Sequence, residues 1–259
     1  EIMPSLVGSE MCIRDSSIVL EGSTLNARQF ATQGSREKMA AQIFTGTEHF
    51  RSGASKVTKD TPEPYKKVQS WLQVSYQNET YHKVSPKFTL GAYLEAYYSS
   101  RNFSNNYTAT LMQAGEFTPT AHSKVTYNEA FRANQYAGVG TMPIYQLSES
   151  FQLRGEFYGF VPIFPIKKDE YGQAYYGKAF TKFEYLGEIS LVFQLSFGSI
   201  SAYVNHYSSP SNDWNVGLTL GWQLFNSRFI EDFLEKSFSK TLAFSKKVRI
   251  FAPVKTKEQ

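Results

Sequence analysis

The chain has 259 residues, a formal net charge of only +4 and 16% aromatic side chains, carried mainly by 17 Tyr and 21 Phe. That length allows one large domain. The low mean hydropathy and the lack of a long charge-free apolar run exclude a helical membrane span, which needs about 20 apolar residues. Lys and Arg are scattered, so the concentrated basic face with stacking aromatics that nucleic acid requires is excluded as well. A transmembrane β-barrel escapes the hydropathy limit, because each strand needs only ~9–11 residues and half of them face the lumen.

The first sixteen residues, Glu1–Ser16, resemble a translated sequencing adapter and are set aside from fold reasoning as an expected artefact. The only cysteine, Cys12, lies in this run. The rest of the chain therefore has none, which fits an oxidising envelope compartment and argues against thiol catalysis or a Cys-based metal site.

From residue 17 onward, period-two alternation recurs. Ile18–Gly22 with Asn26–Ala31 reads as a weak strand remnant, and Lys38–His49 follows with Ala41, Ile43 and Thr45 on one face. A polar loop runs to Pro64. Lys67–Gln77 places Val68, Leu72, Val74 and Tyr76 opposite Gln69, Gln73, Ser75 and Gln77. After a turn at His82–Pro86, Lys87–Tyr98 alternates Phe88, Leu90, Ala92, Leu94 and Ala96 with Lys87, Thr89, Gly91, Tyr93 and Glu95. Strand signal resumes over Ala130–Ile144, turns at Leu147–Ser150 and continues as Phe151–Pro162. Lys182–Leu195 sets Phe183, Tyr185, Ile189, Leu191 and Phe193 against Lys182, Glu184, Glu188, Ser190 and Gln194. A tight turn at Ser196–Ser199 leads to Ile200–Ser208. No comparable helical periodicity occurs before residue 226.

The clearest strand is the last, Trp214–Phe225. Trp214, Val216, Leu218, Leu220, Trp222 and Leu224 alternate there with Asn215, Gly217, Thr219, Gly221 and Gln223. Trp214 and Trp222 are about 26 Å apart along a strand. At a tilt of ~40° they span roughly 20 Å of bilayer, the spacing expected of two aromatic girdles. Arg132, Arg154, Glu156, Glu184 and Glu188 are expected to face the lumen, since a basic residue on the lipid face costs about 2–4 kcal/mol at the midplane. The alternative is that these charges meet bulk solvent on a soluble β-sandwich that binds a ligand.

Short turns at 82–86, 147–150 and 196–199 are expected at one, periplasmic, end. Strict alternation then makes Ser99–Glu129 one long external loop, with Tyr107–Met112 a loop segment and not a strand. Asp169–Thr181 is a second external loop. The result is eight strands from residue 38 onward and part of a ninth before them.

The runs Pro119–Leu147 and Glu184–Glu231 resemble the C-terminal barrel of Bacteroidetes-type patatin-like phospholipases, within the bacterial surface antigen superfamily that includes outer-membrane assembly factors. The resemblance covers most of Leu25–Glu231. It implies an all-β, antiparallel transmembrane β-barrel over residues 17–225. The barrel is incomplete and open, the nine C-terminal strands of about sixteen, within the even-numbered range of such barrels. It also implies that the long loop before the twelfth strand folds back into the lumen. The superfamily's Arg-Gly-aromatic loop tip is absent here; Arg132 could substitute for it or be a plain lumen-facing Arg.

In that family the lipase is a separate N-terminal α/β domain, using a Ser on a Gly-x-Ser-x-Gly turn and an Asp-Gly base. This chain has neither. Gly53-Ala54-Ser55-Lys56-Val57 lacks the final Gly, and none of Asp15, Asp60, Asp169, Asp213 or Asp232 precedes Gly. The expectation is a fragment without catalytic activity that anchors or displays a missing patatin-like domain. One alternative is a surface-antigen-type barrel for protein insertion or transport without a lipase. Another is a barrel-embedded phospholipase using His206 and Ser208, two residues apart and so on one face; against that pair, an interfacial His beside a turn Ser is the plainer reading. His49, His82 and His122 are too dispersed to suggest a metal site.

No cofactor or metal is expected. The expected partners are outer-membrane lipids, the barrel-assembly machinery and the missing N-terminal domain, and the expected location is the bacterial outer membrane. Phe225 is the candidate terminal aromatic for recognition by that machinery. The tail, residues 226–259, holds eight Lys/Arg against four Asp/Glu and reads as a periplasmic extension or as read-through, with Ile230–Leu242 able to form a short helix.

Overall fold

The computed structural model describes residues 8–27, 29–51, 65–104, 107–195, 198–209 and 214–222. Gly53–Val57, Phe225 and the tail lie outside the described residues. The elements in chain order are β1 (Gly8–Ser23), β2 (Gly34–Arg51), β3 (Tyr65–Lys83), β4 (Phe88–Ser99), α1 (Tyr107–Gln113), β5 (Gly115–Glu116), β6 (Arg132–Ala133), β7 (Gln135–Gln146), β8 (Phe151–Pro162), β9 (Ile166–Lys168), β10 (Ala174–Tyr176), β11 (Glu184–Leu195), β12 (Gly198–Tyr207) and β13 (Trp214–Trp222).

Nine of these strands form one antiparallel sheet in the sequential order β1-β2-β3-β4-β7-β8-β11-β12-β13. The sheet is open: β1 and β13 do not pair with each other. No helix among the described residues is long and apolar enough to cross a membrane. The turns after β1, β3, β7 and β11 all lie at one end, as alternation of the strands demands.

Register carries the alternation from strand to strand, because directly opposed residues share a face. One outer row runs Thr141, Phe157, Gly187, His206, Trp214. The next begins at Gly155 and continues Ile189, Val204, Val216, and the one after runs Tyr145, Leu153, Leu191, Ala202, Leu218. The rings of Phe151 and Phe193 then meet at a tilt, centroids 4.5 Å apart, in a row that ends at Ile200 and Leu220. The inner rows hold Glu156 opposite Glu188 and Asn205, and Arg154 opposite Ser190.

The sheet is curled. Six strand spacings separate β2 from β12, about 29 Å in a flat sheet. Yet the turn joining β1 to β2 reaches the far strands: Ser199 Oγ donates to Gln29 Oε1 at 3.0 Å, and Arg154 Nη1 donates to the Ala31 carbonyl at 2.8 Å. The inner face is therefore concave, and it holds the core. Tyr81, Tyr93, Phe117, Phe131, Tyr136, Met142, Tyr158, Phe160 and Leu186 form one buried cluster there.

Five sequence expectations change. The described residues of Asn26–Ala31 are not strand: Asn26 Oδ1 accepts from the Thr32 and Gln33 amides at 2.9 and 3.1 Å, a side-chain closure that replaces ladder bonds. Phe30 there takes a φ of 52°. Tyr107–Met112 is helical, within α1. Seven residues are too few to show a period, and so short a helix depends on tertiary packing; Leu111 supplies it against Ala114 and Ile166. Residues 130–134 do not belong to the wall, since Asn128 caps a single 3-10 turn at Glu129–Phe131 and β6 pairs only with β5. The loop at Asp169–Thr181 contains structure, with β10 folding back on β9. The strand remnant at Ile18–Gly22 is longer than expected, because β1 runs back to Gly8 and pairs with β2 throughout. That pairing is made by backbone groups, which any sequence can offer to an open edge.

Candidate functional site

The segment between β4 and β7 lies on the concave face and fills it. Its Phe117 ring sits over Gly138, where an added Cβ would come within 2.1 Å of the ring. Tyr93, Tyr136, Tyr158 and Phe160 surround it with ring centroids 5.5–6.3 Å away. Gly140 does the same for Tyr158, which meets Tyr93 edge-on at 5.3 Å. Glycine at inner positions thus makes room for aromatic rings lying across the wall.

Farther along the segment, Thr120 and Ser123 close a tight turn by exchanging amide-to-hydroxyl bonds, both 3.0 Å. That turn aims His122 at the wall. His122 Nδ1 lies 2.5 Å from Glu188 Oε1, its ring stacks on Tyr203 at 3.6 Å, and Nε2 is 3.5 Å from Ser201 Oγ. Asn205 Nδ2 donates to the other oxygen of Glu188 at 3.5 Å. Beyond it, Asn128 Nδ2 donates to the Ser209 carbonyl at 2.8 Å. Serine, imidazole and carboxylate in this order have the connectivity of a hydrolytic triad, but Ser201 is 1% exposed and buried within the wall. The arrangement is a latch between segment and wall.

A second network adjoins the first. Arg36 pairs with Glu79 at 2.9 Å, Tyr81 donates to Glu79 at 2.8 Å, and Arg154 Nη2 donates to Tyr81 at 3.3 Å. Arg154 Nε pairs with Glu156 at 3.2 Å, and Tyr158 donates to Glu156 at 2.9 Å. Glu156 and Glu188 face each other across β8 and β11, and each has its own counter-group. This separation of partners relieves what two opposed carboxylates would otherwise cost.

Arg154, Glu156, Glu184 and Glu188 all lie on the inner face, and all are buried. Arg132 does not lie on a wall strand. It belongs to the inserted segment, where it pairs with Glu116 at 2.7 Å, donates to the Met112 carbonyl at 3.2 Å and covers the Tyr127 ring. It braces the segment internally, whereas Phe117 and His122 contact the wall. Near the segment's helix, burial raises the Tyr107 phenol above its ordinary pKa, with Glu129 adding to the effect.

His206 and Ser208 have separate partners. The His206 ring lies between Tyr185 and Trp214, at 5.9 and 4.7 Å. The Ser208 hydroxyl donates to Glu184 and accepts from the Tyr185 amide at 2.9 Å. Trp214 stands on the outer face, 71% exposed, and Trp222 closes β13 opposite Gly198. Among the described residues, no group of His, Cys, Asp and Glu could hold a metal ion.

His122, Phe117 and Trp71 were the inner-face residues that sequence reasoning missed. Trp71 stacks on Phe44 at 5.0 Å and lies under Arg101. The one usable signal was the run of inner glycines, Gly91, Gly138 and Gly140. Compared with protein-family models, curated proteins and solved structures, the chain matches none of them.

Proposed function

We propose that this chain is the membrane-embedded part of a bacterial outer-membrane β-barrel protein, and that it anchors and displays a patatin-like phospholipase domain belonging to the same protein. The observation behind the first half is an inversion of ordinary burial. Ile189, Leu191 and Leu218 are 54%, 42% and 79% exposed on the outer face, while Arg154 and Glu188 are each 2% exposed on the inner one. In a soluble antiparallel sheet the apolar face packs on a core and the charges meet water. A broad apolar surface on a sheet whose interior is polar and filled suits acyl chains as solvent.

The second half rests on the sequence resemblance. The fragment's own work is insertion and tethering. Its partners are membrane lipids and, for insertion, the barrel-assembly machinery. Folding in detergent tests the barrel: electrophoretic migration should change on heating, and a migration unaffected by heat rules out the proposal. The coding sequence upstream of residue 17 tests the tether, because a Gly-x-Ser-x-Gly followed by Asp-Gly supports it and periplasmic domains without a lipase remove it.

One observation favours a second reading. The inserted segment on the inner face is the arrangement the resemblance implies for the wider superfamily, so a barrel acting in protein insertion or transport is the alternative. The barrel-embedded phospholipase finds no such support, given that Ser208 donates to Glu184.

A further inference from the structure

The outer face carries a groove of about 630 Å³, within the range of roughly 300–1,000 Å³ typical of ligand sites. Its floor is set by two outward glycines, Gly159 and Gly187, on neighbouring strands. Phe157, Tyr185, Ile189, Val204, His206 and Trp214 wall it, with almost no polar surface. The groove interrupts the apolar rows described above and is continuous with them, so whatever bathes those rows also reaches it. One end is apolar, at Ile189 and Val204. The other carries the amphipathic rings of Tyr185, His206 and Trp214, the residue types that settle at headgroup depth. Beside that end the connection from β8 to β11 bears Lys167, Lys168 and Lys178 against Asp169 and Glu170, while Lys182 pairs with Glu184 at 3.3 Å, and Phe183, next to Lys182, lines the groove.

We propose that this groove is a specific site for one acyl chain of an anionic phospholipid, with the headgroup held at the His206–Trp214 end beside the basic connection. The proposal rests on the membrane-barrel reading. Shape supports a particular lipid over a general shell: the groove runs between bulky neighbours, with the Phe183 ring against Gly159 and the Phe157 ring against Gly187, so its walls are aromatic rings laid over the two glycines. The apolar–aromatic polarity of the recess fixes which way the chain enters.

The test uses the full chain folded in zwitterionic detergent, with Trp71→Phe and Trp222→Phe so that Trp214 is the reporter. Phosphatidylglycerol and phosphatidylcholine, each carrying a nitroxide on one acyl chain, are the probes. Phosphatidylglycerol should quench Trp214 saturably, at one lipid per chain, and phosphatidylcholine at least tenfold more weakly. Gly187→Leu fills the recess; a Cβ there meets Phe157 at an ordinary 3.6 Å. It should raise the half-saturating concentration tenfold or more, while Ala202→Leu, elsewhere on the outer face, leaves it unchanged. Quenching that rises in proportion to label and ignores Gly187→Leu overturns the site, as does equal quenching by both headgroups. A dimer that shields Trp214 assigns the groove to a second copy and likewise overturns it. A chain that shows no heat-modifiable migration fails at the earlier step, removing the barrel reading and the groove with it.

Discussion

His122 in the inserted segment and Glu188 on β11 are 66 residues apart in sequence and 2.5 Å apart in space. Each is almost fully buried, 3% and 2% exposed at the side chain. Removing one partner leaves the other buried with little else, since Asn205 reaches Glu188 only at 3.5 Å. We predict that His122→Ala destabilises the folded chain by about 1–3 kcal/mol, the cost of leaving a buried polar group without its partner, and exposes the segment between β4 and β7 to protease. Denaturant titration in detergent measures the first effect and limited proteolysis the second. A loss under half a kcal/mol, with the segment still protected, counts against the latch.

The fit of Phe117 over Gly138 gives a prediction by size. Gly138→Ala places a methyl group inside the ring's present position and should cost about 1–3 kcal/mol as overpacking. In a Phe117→Ala background the same substitution should cost close to nothing, because the space is vacant. A double-mutant cycle on unfolding free energies reads the difference; additive effects reject the contact.

Arg154 serves several acceptors at once: Glu156, Gln152, the Tyr81 hydroxyl and the Ala31 carbonyl. Lysine keeps the charge but lacks the planar fork, so it cannot serve them together. Arg154→Lys is therefore predicted to free the turn joining β1 and β2 while preserving the sheet. Hydrogen exchange should speed up around Ala31 and stay unchanged along β8 and β11. Unchanged exchange at Ala31 would falsify the bracing role.

Leu191 sits near the middle of the outer rows and separates the membrane reading from a soluble one. If lipid covers it, Leu191→Arg costs about 2–4 kcal/mol. On a sheet facing water, the same change is neutral and improves solubility. Folding yield in bilayers against yield in buffer decides between the two.

How much of this was legible depended on distance along the chain. Outer and inner faces of β4, β8, β11 and β13 followed directly from period-two alternation, because each residue's face is set by its immediate neighbours. Phe151–Pro162 was placed to the residue. The His122–Glu188 and Arg154–Ala31 contacts were not legible. They exist because the sheet curls, and curvature is a property of many strands together. The helix at Tyr107–Gln113 escaped for the opposite reason: it spans only two turns, and its stability comes from Leu111 meeting Ile166 far along the chain. The inner glycines were visible in the sequence, but their purpose became clear only with the rings that cross them.

The position of the inserted segment constrains the order of assembly. It is held at both ends by β4 and β7, which are neighbours, so it can be laid onto the trough while the far strands are still unpaired. After a wall has closed around the trough, the same segment would have to be threaded, which folding chains avoid. The seating of Phe117 on Gly138 is local and belongs to an early stage. His122 meets Glu188, Ser201 and Tyr203 on β11 and β12, so its contacts require those strands to be in place. The segment is thus held by its sequence neighbours β4 and β7 and, through His122, by the distant strands β11 and β12.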